Sequence, residues 1–285
     1  MRTHKNDLFN IHIAVMLFGL AGIFGKLLQL SPLVIVFGRV FFASVCVARV
    51  VYLRKLSIRL DTRAHYFHML LLGVLLAVHW VTFFAAIQVS TVAVGLLSFS
   101  TFPIFTTLLD VCFFKEKFKV MNILSTVVVF TGVALIIPTY DFGSSVFLGV
   151  LLGIASGLSF AVLTVINRVY VSRYQALVIV LYQDVVATLV LLPFVVYSAP
   201  AITVHDVLLL CILGSVFTAV AHTLFIQGLA TVRVYTAGII TCLEAVYGIV
   251  FASVFLHEQL TLRIVLAGLL IIGTSFFVTV RSKAT

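Results

Sequence analysis

The chain has 285 residues, 63% hydrophobic and only 9% charged, with a mean hydropathy of +1.28. A soluble globular domain carries about a quarter charged residues, so that class is excluded and a polytopic membrane protein is expected. The formal net charge of +9 sits mostly between apolar runs, where Lys and Arg set orientation in a bilayer, and it does not point to a nucleic-acid partner.

Apolar runs and their breaks predict ten helices, over 8–28, 32–53, 66–88, 92–114, 120–138, 146–167, 176–197, 206–227, 233–256 and 261–281. The first follows the polar start MRTHKND and carries Gly19, Gly22 and Gly25. It lacks a small-x-small cleavage site and leads directly into a second span, so it reads as helix 1 rather than a signal peptide. The second starts at Pro32, just after Ser31, and holds Arg39 about eight residues in, roughly 12 Å along the helix axis. The third carries His79 and Trp80, the only tryptophan. The sixth carries Gly149, Gly153 and Gly157, two overlapping GxxxG patterns that let helix backbones approach closely. The seventh contains Gln183-Asp184 and the eighth His222.

The ninth run, VYTAGIITCLEAVYGIVFASVFL, places one carboxylate, Glu244, near the middle of a bilayer-length helix. A carboxylate there costs roughly 2.5–3.5 kcal/mol on insertion scales and turns toward protein or a watery cavity. On a 3.6-residue period its face also holds Ala237, Thr241, Gly248 and Phe251, with Tyr247 beside it. Cys46, Cys112, Cys211 and Cys242 all lie in apolar runs without CxxC spacing and read as packing residues. No metal-ligand cluster or nucleotide-binding loop occurs, so neither a cofactor nor ATP-driven transport within this chain is expected.

With the N-terminus inside, 15 Lys and Arg residues fall on the inner face and two, Lys26 and Arg263, on the outer face. That bias predicts both termini in the cytoplasm. The chain also repeats: Leu33 to Phe37 matches Leu177 to Leu181 at a shift of 144, and Phe113-Phe114-Lys115-Glu116 matches Phe255-Leu256-His257-Glu258 at a shift of 142. Two halves of five helices, 1–141 and 142–285, would be inverted relative to each other. Inverted repeats are characteristic of transporters with a site near the midplane.

Two long blocks are specific enough to name a family: FFAAIQVSTVAVGLLSFSTFPIFTTLLDVCFFKEKF and LFIQGLATVRVYTAGIITCLEAVYGIVFASVFLHEQL. Both resemble the recurring block of the drug/metabolite transporter superfamily, in particular its EamA-type ten-helix members, and the likeness covers essentially the whole chain. The resemblance implies an all-α bundle around a central cavity, alternating access, and small organic solutes as cargo, commonly exported. Pro103 keeps the family's central proline and implies a kink in helix 4, whereas Ala245 stands where a second proline is often found.

Arg39 and Glu244 are expected near mid-depth with opposite charge, as a cargo site or as a structural ion pair. Asp184 suits cargo binding or a proton-coupled step, and His79 and His222 offer titratable rings at nearly equivalent places in the repeats. Trp80 and Tyr247 complete the candidate set; Glu116 and Glu258, at helix ends, read as interface or gate residues. An arginine and a carboxylate facing one cavity match a zwitterion, so the leading expectation is secondary transport of an amino acid or related metabolite, with export favoured. A drug-like or quaternary organic cation is the alternative cargo, for which Glu244, Asp184 and Trp80 would serve. An intramembrane hydrolase built on Ser159 and His222 is a remote alternative that inverted repeats do not fit. The expected partners are a small-molecule substrate, the lipid bilayer and, in a coupled cycle, protons. The expected setting is a bacterial inner membrane, with the protein as a monomer or homodimer.

Overall fold

A computed structural model describes residues 4–114, 120–136, 143–232 and 234–281. Glu116, Lys115 and Arg233 lie outside the described residues, and the Cys112 side chain is not among those described. The described secondary structure is helical: α1 (His4–Ala21), α2 (Phe24–Leu27), α3 (Pro32–Leu53), α4 (Arg63–Val89), α5 (Val92–Phe99), α6 (Phe102–Phe114), α7 (Val120–Ile136), α8 (Ser145–Tyr170), α9 (Ala176–Ser198), α10 (Val204–Gly214), a π-helical segment (Ser215–Val220), α11 (Ala221–Gly228), α12 (Val234–Phe255) and α13 (Leu262–Arg281). Six helical stretches among these residues are long and apolar enough to cross a membrane, and shorter apolar helices cover Val92–Thr106, Val127–Ile136, Ile240–Phe255 and Leu262–Thr274.

Local chemistry sets the ends. Pro32 occupies the first turn of α3, where its missing N–H costs nothing. Thr62, Thr91 and Ser144 accept hydrogen bonds from the third residues of α4, α5 and α8, and Thr203 with Asp206 forms a capping box on α10. α5 receives a second cap from far away. The Glu258 carboxylate, in the α12–α13 turn, accepts from Val92 N at 3.0 Å and Ala93 N at 3.5 Å. On the other side of the same α4–α5 turn, Lys26 Nζ donates to the Ser90 carbonyl at 2.6 Å.

Three expected continuous helices are interrupted. The first breaks at Gly22–Ile23 between α1 and α2, and the eighth contains the π-helical turn. The fourth breaks at Ser100–Thr101, so Pro103 stands at the second position of α6 instead of inside a kinked helix. The hydroxyls of Ser100 and Thr101 donate back to the Leu96 and Ser98 carbonyls, joining the backbone N–H groups of the same two residues on those acceptors. α12 runs unbroken through Ala245.

Packing joins the two halves of the chain. α1 lies on α11 and α12, α3 on α9 and α10, α4 on α8 and α9, α5 on α8 and α12, and α7 on α13. Each of the main interfaces recurs when the elements α1–α7 are exchanged with α8–α13: the α4–α8 contact, for instance, has its counterpart in α11–α1. Glycines make the closest approaches. A Cβ on Gly153 would meet Ser98 Cβ and the Gly95 carbonyl, and one on Gly157 would lie 2.9 Å from the Phe99 carbonyl, so the GxxxG stripe of α8 seats against α5 and the break after it. A Cβ on Gly19 would lie 2.9 Å from both the Glu244 carbonyl oxygen and Tyr247 Cβ. That contact fixes α1 against α12 at the depth of Glu244.

Candidate functional site

The helices enclose a cavity of about 450 Å³ of atom-free space, counting what opens to solvent. Its wall is mainly aromatic, with Trp80 and Phe83 from α4, Phe99 from α5 and Phe160 from α8. Four polar side chains reach it: Arg39, His79, His222 and Glu244. All four are at most 5% exposed, so they are taken out of water by the bundle rather than presented at its surface.

Arg39 is held from three sides. Its guanidinium carbon lies 3.8 Å from the centroid of the Trp80 ring and 5.3 Å from that of Phe84. Its Nε donates to Thr218 Oγ1 at 3.0 Å. A desolvated cation over an indole face gains about 2 kcal/mol, which helps to offset the cost of burying the charge. Thr218 belongs to the π-helical segment, and its hydroxyl donates to the Leu213 carbonyl at 2.8 Å, five residues back. The wider turn thus supplies both the acceptor for Arg39 and a partner for the hydroxyl that accepts. Gly214 lets this happen: a Cβ there would lie 2.7 Å from the Arg39 carbonyl oxygen and 2.6 Å from Phe42 Cβ. π-helical turns frequently mark functional positions.

His222 follows Thr218 by one turn. Its ring stands edge-on to Trp80, with centroids 5.5 Å apart, and its Nδ1 faces Asp184 Oδ1 at 3.9 Å. Asp184 is fully buried on α9 behind the cavity wall, and neither of its oxygens accepts a hydrogen bond among the described residues. Gln183 beside it donates to Asn167 Oδ1. A Cβ on Gly73 would lie 3.0 Å from the Gln183 carbonyl, so α4 closes tightly over this part of α9.

His79 is engaged through Nδ1, which lies 3.1 Å from the Ser156 carbonyl and 2.8 Å from Ser156 Oγ. Its ring packs against Phe160 and Phe99 at centroid distances of 5.0 and 5.5 Å. Ser159 donates to the Ala155 and Ser156 carbonyls on its own helix, so its hydroxyl is turned to the α8 backbone rather than to His222.

The structure brings Arg39, His79, Trp80, His222 and Glu244 to one cavity, and sets Asp184 directly behind it. It does not bring Tyr247 there: that half-buried ring belongs to the α1–α12 contact. The direct Arg39–Glu244 ion pair offered as one reading of these charges is also absent, since no arginine–carboxylate contact within 4.0 Å occurs at either Glu244 or Asp184 among the described residues. Arg39 instead interacts with both carboxylates across a longer gap. Pro103 lies on α6, at the break rather than in the wall. Sequence reasoning missed Thr218 and the phenylalanines of the wall. The Thr218–His222 spacing of four residues was a usable signal for the first; 26 phenylalanines spread over the chain gave none for the second. No group of three or more His, Cys, Asp or Glu side chains suited to a metal ion occurs among the described residues.

Comparison with known proteins agrees with this architecture. The family model described as EamA-like transporter family matches twice, over residues 8–137 and 147–280. A solved crystal structure of a protein 13% identical in sequence superposes with a TM-score of 0.73, covering 99% of each chain, a likeness of fold alone. No protein of curated function matches the chain in sequence. The two family matches span nearly all of a helical membrane chain whose polar side chains converge on one buried cavity, and the protein belongs to the EamA-like transporter family.

Proposed function

We propose that the protein is a secondary transporter that moves a small zwitterionic metabolite, an amino acid or a related compound, by alternating access in the export direction. The observation that carries this reading is the cavity itself: Arg39 and Glu244 line one aromatic-walled space without being paired to each other. A cargo carboxylate would meet the Arg39 guanidinium, a cargo ammonium the Glu244 carboxylate, and the apolar part the rings of Trp80, Phe83 and Phe160. His79 and His222 would complete the polar wall. In this reading ten spans form two inverted repeats, 1–141 and 142–285, with both termini in the cytoplasm of a cell whose inner membrane holds the protein. The recurrence of interfaces under exchange of the halves and the 15-to-two distribution of basic residues support it.

A second reading has its own support. Arg39 is already stacked on Trp80 and bonded to Thr218, while Glu244 makes no hydrogen bond among the described residues. A cargo with only a cationic group, such as a quaternary amine, would use Glu244 and the aromatic wall alone. Counterflow in proteoliposomes loaded with amino acids or with quaternary amines separates the two. Arg39→Gln should abolish transport of a zwitterion and leave transport of a simple cation within a few-fold of wild type. If neither class shows saturable counterflow, both readings fail.

A further inference from the structure

The cavity and the layer behind it hold three fixed ionisable groups of opposite sign, the Arg39 guanidinium and the Glu244 and Asp184 carboxylates. Arg39 is within electrostatic reach of both acids. One cation therefore stands against two carboxylates in a space walled by phenylalanines. An uncompensated charge in such surroundings is costly, because the medium that would screen it has been excluded. Burial therefore favours uptake of one further positive charge, a proton, by this group.

Its place is marked by two buried groups that lack partners. Both Asp184 oxygens and the Nδ1 of His222 make no hydrogen bond among the described residues, yet Nδ1 and Oδ1 face each other at 3.9 Å. His222 also lines the cavity, so the imidazole stands between the buried carboxylate and the space from which a proton would come. The titratable groups packed around the pair are Arg39 from α3, His79 from α4 and Glu244 from α12. The cavity side chains from α1 and α8, among them Phe18 and Phe160, are apolar, and the π-helical turn adds only Thr218.

We propose that Asp184 and His222 form a proton site distinct from the cargo position beside Glu244. A hydronium ion reaching the cavity gives its proton to the imidazole–carboxylate pair and leaves as water; one proton is gained and no other bond changes. This rests on the transport reading and adds that the proton is displaced only by a cargo of net positive charge. A zwitterion adds no net charge and leaves the proton in place. A cationic cargo at Glu244 supplies the missing charge itself, and the proton returns to water.

Trp80 makes the site readable without any cargo. It is the only tryptophan in the chain, and its ring touches His222. An imidazolium quenches a neighbouring indole, whereas neutral imidazole does so far less. Purified full-length protein in detergent, titrated from about pH 8 to about pH 5, should lose Trp80 fluorescence reversibly in a single one-proton step. His222→Gln should abolish the step, Asp184→Asn should displace its midpoint by about tenfold or more in proton activity, and His79→Gln should leave it in place. A flat wild-type titration, a step that survives His222→Gln, a midpoint unmoved by Asp184→Asn, or a step removed by His79→Gln would each overturn the proposal. A flat wild-type trace overturns the proposal even if a variant does not fold, and a wild-type step is assigned by whichever of His222→Gln and His79→Gln does fold, since both rings neighbour Trp80. Since no cargo is present, failure here leaves the cargo reading standing, and failed counterflow leaves the proton site standing.

Discussion

Thr218 shows how much rests on a side chain that attracts no notice in the sequence. Its hydroxyl accepts from Arg39 Nε and donates to Leu213, so Thr218→Val keeps the shape and strips both bonds. Leaving a buried charged donor unsatisfied costs about 1–3 kcal/mol, and we expect a lower melting temperature in detergent together with weaker zwitterion transport; unchanged values of both would mean Arg39 does not depend on Thr218. Trp80→Leu should cost a comparable about 2 kcal/mol by removing the ring under the guanidinium. Arg39, His79, Trp80, His222 and Glu244 were legible in the sequence because a polar or amphipathic group inside an apolar helix must find a protein-lined place. What was not legible is which of them touch. Opposite charges suggested Arg39 with Glu244, whereas packing gives Arg39 to an indole and a hydroxyl and gives Asp184 to a histidine. Those choices depend on helix rotation, which a single apolar run does not encode.

At the scale of elements, the interruptions carry the geometry. Hydropathy located the helices to within a few residues, but it is blind to hydrogen-bond register, so the break at Ser100–Thr101 and the π-helical turn could not be read from it. The glycines could be read only in part. Spacing predicted that the α8 stripe packs closely, and the contacts with Ser98 and Gly95 agree, but nothing in the spacing named α5 as the partner. Substitution should separate the tight glycines from the idle ones. Gly19→Leu would drive a side chain into the Glu244 carbonyl and should leave little monodisperse protein, while Gly273→Ala, with no atom within 4 Å of the added carbon, should melt within a degree or two of wild type. Glu258→Gln weakens the distant cap on α5, and a loss of about 0.5–2 kcal/mol is expected from the melting curve.

For the whole molecule, orientation is the first thing to test. Single cysteines introduced at Ser57 and Ala201 should react with a membrane-impermeant thiol reagent from opposite sides, with Ser57→Cys protected in sealed cells; the reverse pattern would place the termini outside. Fold class and the doubling of the chain were plain in the sequence, because composition and a repeat are properties of the string. The exchange of interfaces between halves adds something that the repeat alone does not. Positions paired by the sequence repeat differ in chemistry: at shifts of 144 and 142, Arg39 answers to Gln183, Trp80 to His222, and Glu244 to Phe102. If access alternates by the halves trading shapes, a backbone alone would bind solute equally well from either side. Here the traded shapes carry different side chains, so we expect half-saturation from the cytoplasmic face to differ from that at the outer face. The asymmetry between the two half-saturations would then be written in three mismatched pairs rather than in the architecture they share.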